Sequence, residues 1–153
     1  MPWRQQLKRW LPWLSAESQR SVERIRPALR RHRGIAAERL AASYLRHHGF
    51  AIEATNVRCR RGEIDLVARA GSVLCFVEVR SKTSLAFGSA AESVTTRKQQ
   101  RIIRAAQWYL QRRRPLWQGP IRFDVVAIDS HLSGTPTLTL IKNAFAADGL
   151  ASW

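Results

Sequence analysis

The sequence predicts a small α/β domain in which helices cover the faces of a central β-sheet. Three observations predict it. Two helical patterns bracket three strand-like runs, turn segments of hairpin length join those runs, and further strand-like segments follow the second helix. With 153 residues, 45% of them hydrophobic and only 8 Gly and 6 Pro, the chain has material for one compact core.

Residues 1–33 read as a basic, tryptophan-containing appendage. They hold nine basic and two acidic residues, a net +7, and Trp3, Trp10 and Trp13, with helical potential from about Ala16 to Arg31. The domain proper is expected over 34–147 and a short tail over 148–153. Ile35 to His48 has a helical stripe of Ala37, Leu40, Ala41, Tyr44 and Leu45, with Gly49 as its stop. Strands follow at about Phe50–Arg58, Glu63–Arg69 and Val73–Arg80, joined by Arg60-Arg61-Gly62 and Ala70-Gly71-Ser72. A long helix from about Ala91 to Arg114 stops before Pro115, and two strands near Ile121–Ile128 and Thr137–Ile141 close the domain.

Charge narrows the partners. The whole chain has 26 Lys and Arg against 11 Asp and Glu, a net +15. Such a field suits a polyanion, with nucleic acid the first reading and an anionic membrane surface the second. Basic residues interleaved with tryptophan in the appendage suit phosphate binding and base stacking, contact with a membrane surface, or a tail packed on the domain. No transmembrane segment is expected, since the longest unbroken apolar stretch is Val73 to Val77. Arg4, Lys8 and Arg9 interrupt any secretory apolar region. Cys59 and Cys75 lack metal-ligand spacing and read as reduced structural thiols, which places the chain in the cytoplasm.

Few acids in so basic a chain make their placement informative. Asp65 lies in Glu63-Ile64-Asp65-Leu66-Val67 and Glu78 in Phe76-Val77-Glu78-Val79-Arg80, where strands otherwise want apolar side chains. A buried carboxylate is costly unless paired or metal-bound. On adjacent antiparallel strands the two can approach within a few ångströms, an arrangement that a hard cation uses. Glu78 and Arg80 share a strand face, and Glu38 borders the apolar stripe of the first helix with Ala41, Ala42 and Leu45.

These residues carry a resemblance. Gly34-x3-Glu38, Tyr44-Leu45, Gly49-Phe50, Asn56, Gly62-Glu63-Ile64-Asp65-Leu66-Val67, Phe76-Val77-Glu78-Val79-Arg80, Gly88, Val94, Lys98 and Arg122-Phe123-Asp124-Val125-Val126 together resemble the YraN-like family of bacterial proteins. That family looks like a relative of archaeal Holliday junction resolvases, and hence of the PD-(D/E)XK nucleases. The resemblance implies a restriction-endonuclease-like core, a mixed β-sheet flanked by helices in the order α-β-β-β-α-β. It also implies Mg²⁺- or Mn²⁺-dependent cleavage of DNA, including branched or recombination intermediates. The resolvase relatives act as dimers, so a homodimer is compatible with it.

By position, Asp65, Glu78 and the Val79 carbonyl match the metal ligands, and Glu38 matches the helix acid that holds a second ion or its water. Arg80 stands where the superfamily has lysine, a variant found within the YraN-like group, and arginine cannot act as a base. It can orient water or screen charge, and Lys82 lies two residues further along the same face as a substitute. The competing class is a nucleic-acid-binding module that keeps the fold without catalysis.

Other residues admit two readings each. Arg97, Arg101 and Arg104, opposite the apolar stripe of the long helix, fit a solvated face or a phosphate track, with Arg60 and Arg61 as further phosphate contacts. Lys98 is another phosphate contact, or with Gln99 it reaches the acids from the helix start. Asp124 is expected to make a structural pair. Glu63 fits a secondary ligand or a turn-side hydrogen bond, and His47 and His48 fit the rim of the site or solvent.

Overall fold

A computed structural model describes residues 16–82, 94–113, 115–129 and 135–147, the side chains of 16–31 and Lys82 excepted. The first elements of the expected appendage, including Trp3, Trp10 and Trp13, and the tail at 148–153 lie outside the described residues. Helix α1 spans Ala16–His47, followed by strands β1 (Ala51–Cys59), β2 (Gly62–Ala70) and β3 (Val73–Lys82), helix α2 (Thr96–Arg112), and strands β4 (Ile121–Asp129) and β5 (Thr137–Phe145).

The two helical stretches expected on either side of residue 33 are one unbroken helix of 32 residues. Gly34 costs helix stability but does not stop it. Leu40, which the spacing assigns to the buried stripe, is 39% exposed, while Ala41, Ala42 and Leu45 are buried. Gly49, at φ +81°, ends the helix in a left-handed turn. Its N–H donates to the Arg46 carbonyl at 3.1 Å and that of Phe50 to the Leu45 carbonyl at 3.0 Å. Those are the two bonds of a Schellman cap, and Phe50 and Leu45 pack in the same core cluster.

The strands form one five-stranded sheet in the order β1-β2-β3-β4-β5. Neighbours run antiparallel except β3 and β4, which are parallel from Leu74↔Ile121 to Lys82↔Asp129 and connected through α2. On one face Ala41, Ala42 and Leu45 of α1 cover Leu66, Ala68, Cys75, Val77, Val126 and Ile128. On the other, Ile102, Ile103, Ala105 and Ala106 of α2 cover Ile64, Val67, Phe76 and Val125. β2, β3 and β4, covered on both sides, therefore read as nearly continuous apolar runs. A five-stranded mixed sheet flanked by two helices, in the order α-β-β-β-α-β-β, is consistent with a restriction-endonuclease-like core.

Helix α2 starts later than its expected Ala91. Val94 and Thr95 are not helical; the Thr95 side chain accepts the Lys98 N–H at 3.3 Å as an N-cap, and the Gln99 amide donates to the Val94 carbonyl at 2.9 Å. Residues 91–93 and 114 lie outside the described residues. Gly62 holds α2 against the β1–β2 turn, for a Cβ there would run into the Arg101 carbonyl. Both cysteines are free thiols, and burial pushes the Cys75 thiol up to about 11, as suits an inert core residue. Among the described residues no helix is long and apolar enough to cross a membrane.

Candidate active site

The site forms where two strands part. β2 and β3 pair only as far as Leu66↔Val77, whereas β3 stays with β4 to its end. The next pair in that register would be Asp65 with Glu78, so both carboxylates stand at the fork. Strand alternation also slips here. Ile64 and Val67 of β2 belong to one core cluster although three residues apart, and Ala54 and Val57 of β1 pack against the same cluster. Between the latter two, Asn56 takes a left-handed φ of +54°. Beyond the end of the ladder, the Val79 N–H donates to Asp65 Oδ2 at 2.8 Å, so a carboxylate replaces the missing strand partner.

Glu78 is 3% exposed. Among the described residues its Oε2 has no hydrogen-bond partner and the cation nearest to it is Lys98 Nζ at 3.4 Å, while Arg80 Nη1 lies 3.8 Å from Oε1. Burial, then the charge of Asp65, raises Glu78 to about 7 even with both cations present. Burial likewise raises Asp65, against the opposing effects of the Val79 N–H and Lys98. The metal-free pair thus resists carrying two full negative charges.

A divalent ion fits these residues. A buried carboxylate oxygen without a hydrogen bond, next to a second carboxylate, is an oxygen donor set for a hard cation, which keeps waters in its remaining positions. Among the described residues no three His, Cys, Asp or Glu side chains converge as a ready-made cage. The protein's share would be Asp65, Glu78 and main-chain oxygen, with Val79 the candidate from the sequence pattern.

Glu38 stands apart from this pair. Its carboxylate accepts from Asn56 Nδ2 at 2.5 Å, at the β1 position facing Asp65 in the register between Thr55↔Leu66 and Val57↔Ile64. Glu38 is thereby tied to the strand beside the fork. Asn56 is a residue that sequence reasoning left without a role; asparagine's tolerance of left-handed backbone was the available signal. Lys82 closes β3, and its side chain lies outside the described residues.

Lys98 is drawn inward. Its Nζ lies 3.2 Å from Glu63 Oε1 and 3.4 Å from Glu78 Oε2, so the surface phosphate contact is the weaker of its two readings and Glu63 is its outer partner. Arg97, Arg101 and Arg104 remain exposed on α2, and the Gly62 contact brings the exposed Arg60 and Arg61 of the turn against the same helix. The exposed arginines of the β1–β2 turn and of helix α2 therefore lie next to one another. Gln99 caps the helix start. The Nδ1–H groups of His47 and His48 donate to the Ser43 and Tyr44 carbonyls, each at 2.8 Å, in the last turn of α1. Asp124 is fully buried and accepts from Arg122 at 2.7 and 2.8 Å and from the Asn143 N–H at 2.9 Å.

Comparison with known proteins agrees with the resemblance at the family level. Residues 37–128 match the model of the uncharacterised protein family UPF0102. A UPF0102 protein of Legionella pneumophila is 45% identical over 97 residues, covering 63% of this chain and 80% of that protein. Similar proteins of Hahella chejuensis (50% over 91 residues, 60% and 71% covered) and Pseudomonas fluorescens (47% over 92 residues, 60% and 74% covered) carry the same description. The matched span contains Glu38, Asp65, Glu78, Arg80 and Lys98.

Proposed function

We propose that this chain, which belongs to the uncharacterised protein family UPF0102, is a divalent-metal-dependent endonuclease that hydrolyses phosphodiester bonds in cytoplasmic DNA. One observation carries the reading: Glu78 is buried, raised to about 7 and left with an oxygen that lacks a hydrogen bond among the described residues, beside Asp65. A fold gains nothing in stability from such a group, so a ligand is the natural reason for it.

Asp65, Glu78 and Val79 would hold Mg²⁺ or Mn²⁺, with Glu38 acting beside them. When bound, the ion would supply charge for the phosphate and a lowered pKa for an attacking water. The chain's own residues do the remainder. Arg97, Arg101, Arg60 and Arg61 bind backbone phosphates, and Arg80 screens charge at the metal ligand. Branched or recombination intermediates are the substrates the resolvase likeness suggests, and a homodimer is the assembly it suggests.

A second reading, a nucleic-acid-binding module without catalysis, draws on the cations already beside Glu78. One assay separates them. Supercoiled, single-stranded, flap and four-way-junction DNA are incubated with Mg²⁺, Mn²⁺ or EDTA. Cleavage of any of them by wild type, absent with EDTA and absent in Asp65→Asn and Glu78→Gln, supports the endonuclease. DNA binding without cleavage under every condition supports the module.

A further inference from the structure

The amine of this site comes from a place the strand pattern does not indicate. Arg80 follows Glu78 on β3, yet among the described side chains the cation beside the orphaned Glu78 Oε2 is Lys98, reaching over from the first turn of α2. Its ammonium bridges two unlike acids. The Glu63 side chain is 41% exposed, that of Glu78 is 3% exposed, and Lys98 lies between them at 20%. One end of the bridge is therefore at the surface and the other in the core.

We propose that Lys98 is the exchangeable cation of the site. Its ammonium neutralises Glu78 in the metal-free protein, yields that carboxylate to a divalent ion, and stays on Glu63, where it faces the phosphate that the ion binds. The proposal rests on the metal site described above. Three points of physics support it. At 3.4 Å the Lys98–Glu78 contact is long, whereas a divalent ion coordinates a carboxylate directly at roughly 2.0–2.6 Å with twice the charge. Lysine's flexible stem lets the ammonium leave Glu78 while it keeps Glu63, a movement for which a planar guanidinium is poorly suited. Without the Lys98 ammonium in the metal-free state, Asp65 and Glu78 would face each other with Arg80, at 3.8 Å, the cation left beside Glu78 among the described side chains.

The test reads metal binding directly, on the full chain. Mn²⁺ is titrated calorimetrically into wild type, Lys98→Gln, Lys98→Arg and Glu63→Gln, with DNA cleavage measured in parallel. Removing a competing positive charge should tighten Mn²⁺ binding about tenfold in Lys98→Gln. Lys98→Arg, which keeps the charge but leaves Glu78 less readily, should bind Mn²⁺ no more tightly than wild type. Glu63→Gln should weaken binding several-fold, because the ammonium loses its outer partner and settles on Glu78. Lys98→Gln should cut DNA more slowly even though it holds the ion more tightly.

Unchanged or weaker Mn²⁺ binding in Lys98→Gln overturns the proposal, as does tightening in Lys98→Arg equal to that in Lys98→Gln, or no Mn²⁺ binding by wild type. A wild type that binds Mn²⁺ and shows the Lys98→Gln shift but cuts none of the DNA substrates refutes the endonuclease and supports the exchange. Cleavage by wild type with equal Mn²⁺ affinity in Lys98→Gln does the reverse.

Discussion

Two buried acids of the same sheet are treated in opposite ways. Asp124 on β4 is 0% exposed and receives three donors at 2.7, 2.8 and 2.9 Å, two from Arg122 and one from the Asn143 N–H on β5. Glu78 on β3 is 3% exposed, has an oxygen without a hydrogen bond, and meets its cations only at 3.4 and 3.8 Å. Both are deep enough for desolvation to matter. The carboxylate of Asp124 closes an irregularity between two strands, where the β4–β5 register shifts between Phe123 and Val125 and Asn143 takes a left-handed φ of +52°. That of Glu78 stands where two strands separate and leave space. Burial alone therefore does not distinguish the two acids; the completeness of their hydrogen bonding does.

The largest expected effect breaks the satisfied side. Asp124→Ala should leave the Arg122 guanidinium and the Asn143 N–H without their acceptor and cost about 3–5 kcal/mol in urea unfolding. Glu78→Gln should leave metal-free stability unchanged or higher, since it removes a charge that the fold solvates poorly. Equal losses in both variants would erase the distinction between the two acids.

Catalysis should show the reverse ranking. Under the endonuclease reading, Asp65→Asn and Glu78→Gln should each lower metal-dependent cleavage about 1000-fold, or ~4 kcal/mol of barrier. Asn keeps an acceptor for the Val79 N–H, so the loss in Asp65→Asn should come without a fall in melting temperature. DNA binding, measured by anisotropy, should persist in both.

The pH dependence follows from the raised carboxyls. Glu78 has an ordinary value of 4.5 and about 7 in the folded chain, so between these the folded state binds more protons than the unfolded one. Its contribution favours folding at low pH and is lost as pH rises from about 4.5 to 7, by roughly 2–3 kcal/mol in metal-free protein. Glu78→Gln should flatten this part of the curve. Saturating Mn²⁺ should do so in wild type, and its stabilisation should grow over the same interval. A wild-type profile that matches Glu78→Gln in EDTA would show that Glu78 does not titrate there.

The smallest effects belong to the arginine surface. If Arg97 and Arg101 contact DNA phosphates, each change to Ala should reduce the slope of log K against log salt by about 0.9 and leave Mn²⁺ affinity alone. Slopes equal to that of wild type would assign these side chains to solvent.

Much of the architecture was legible because it is local. The apolar run of Val73–Val77, the Gly71 turn and the apolar stripe of Ile102, Ile103 and Ala106 each follow from neighbours in sequence. The candidate acids were legible for a related reason, as charges in otherwise apolar strands have few explanations. Helix α1 was harder. Its first half carries charge without apolar periodicity, so nothing marked it as continuous with the half that covers the sheet. Leu40 is exposed because the small Ala41 and Ala42 let the helix lie close to the strands on a narrower stripe than the spacing implies.

By itself, then, the sequence determined the order of strands and helices, the family, and the presence of Asp65 and Glu78 at strand positions that disfavour charge. Which cation meets Glu78 was decided only in three dimensions. Arg80 is its neighbour along β3, but among the described side chains it is Lys98, twenty residues away, that reaches Glu78 Oε2. That meeting depends on where β2 separates from β3 and on how closely α2 approaches at Gly62. Both are long-range packing outcomes, set by the fit of helix to sheet, and periodicity along the chain carries no record of them.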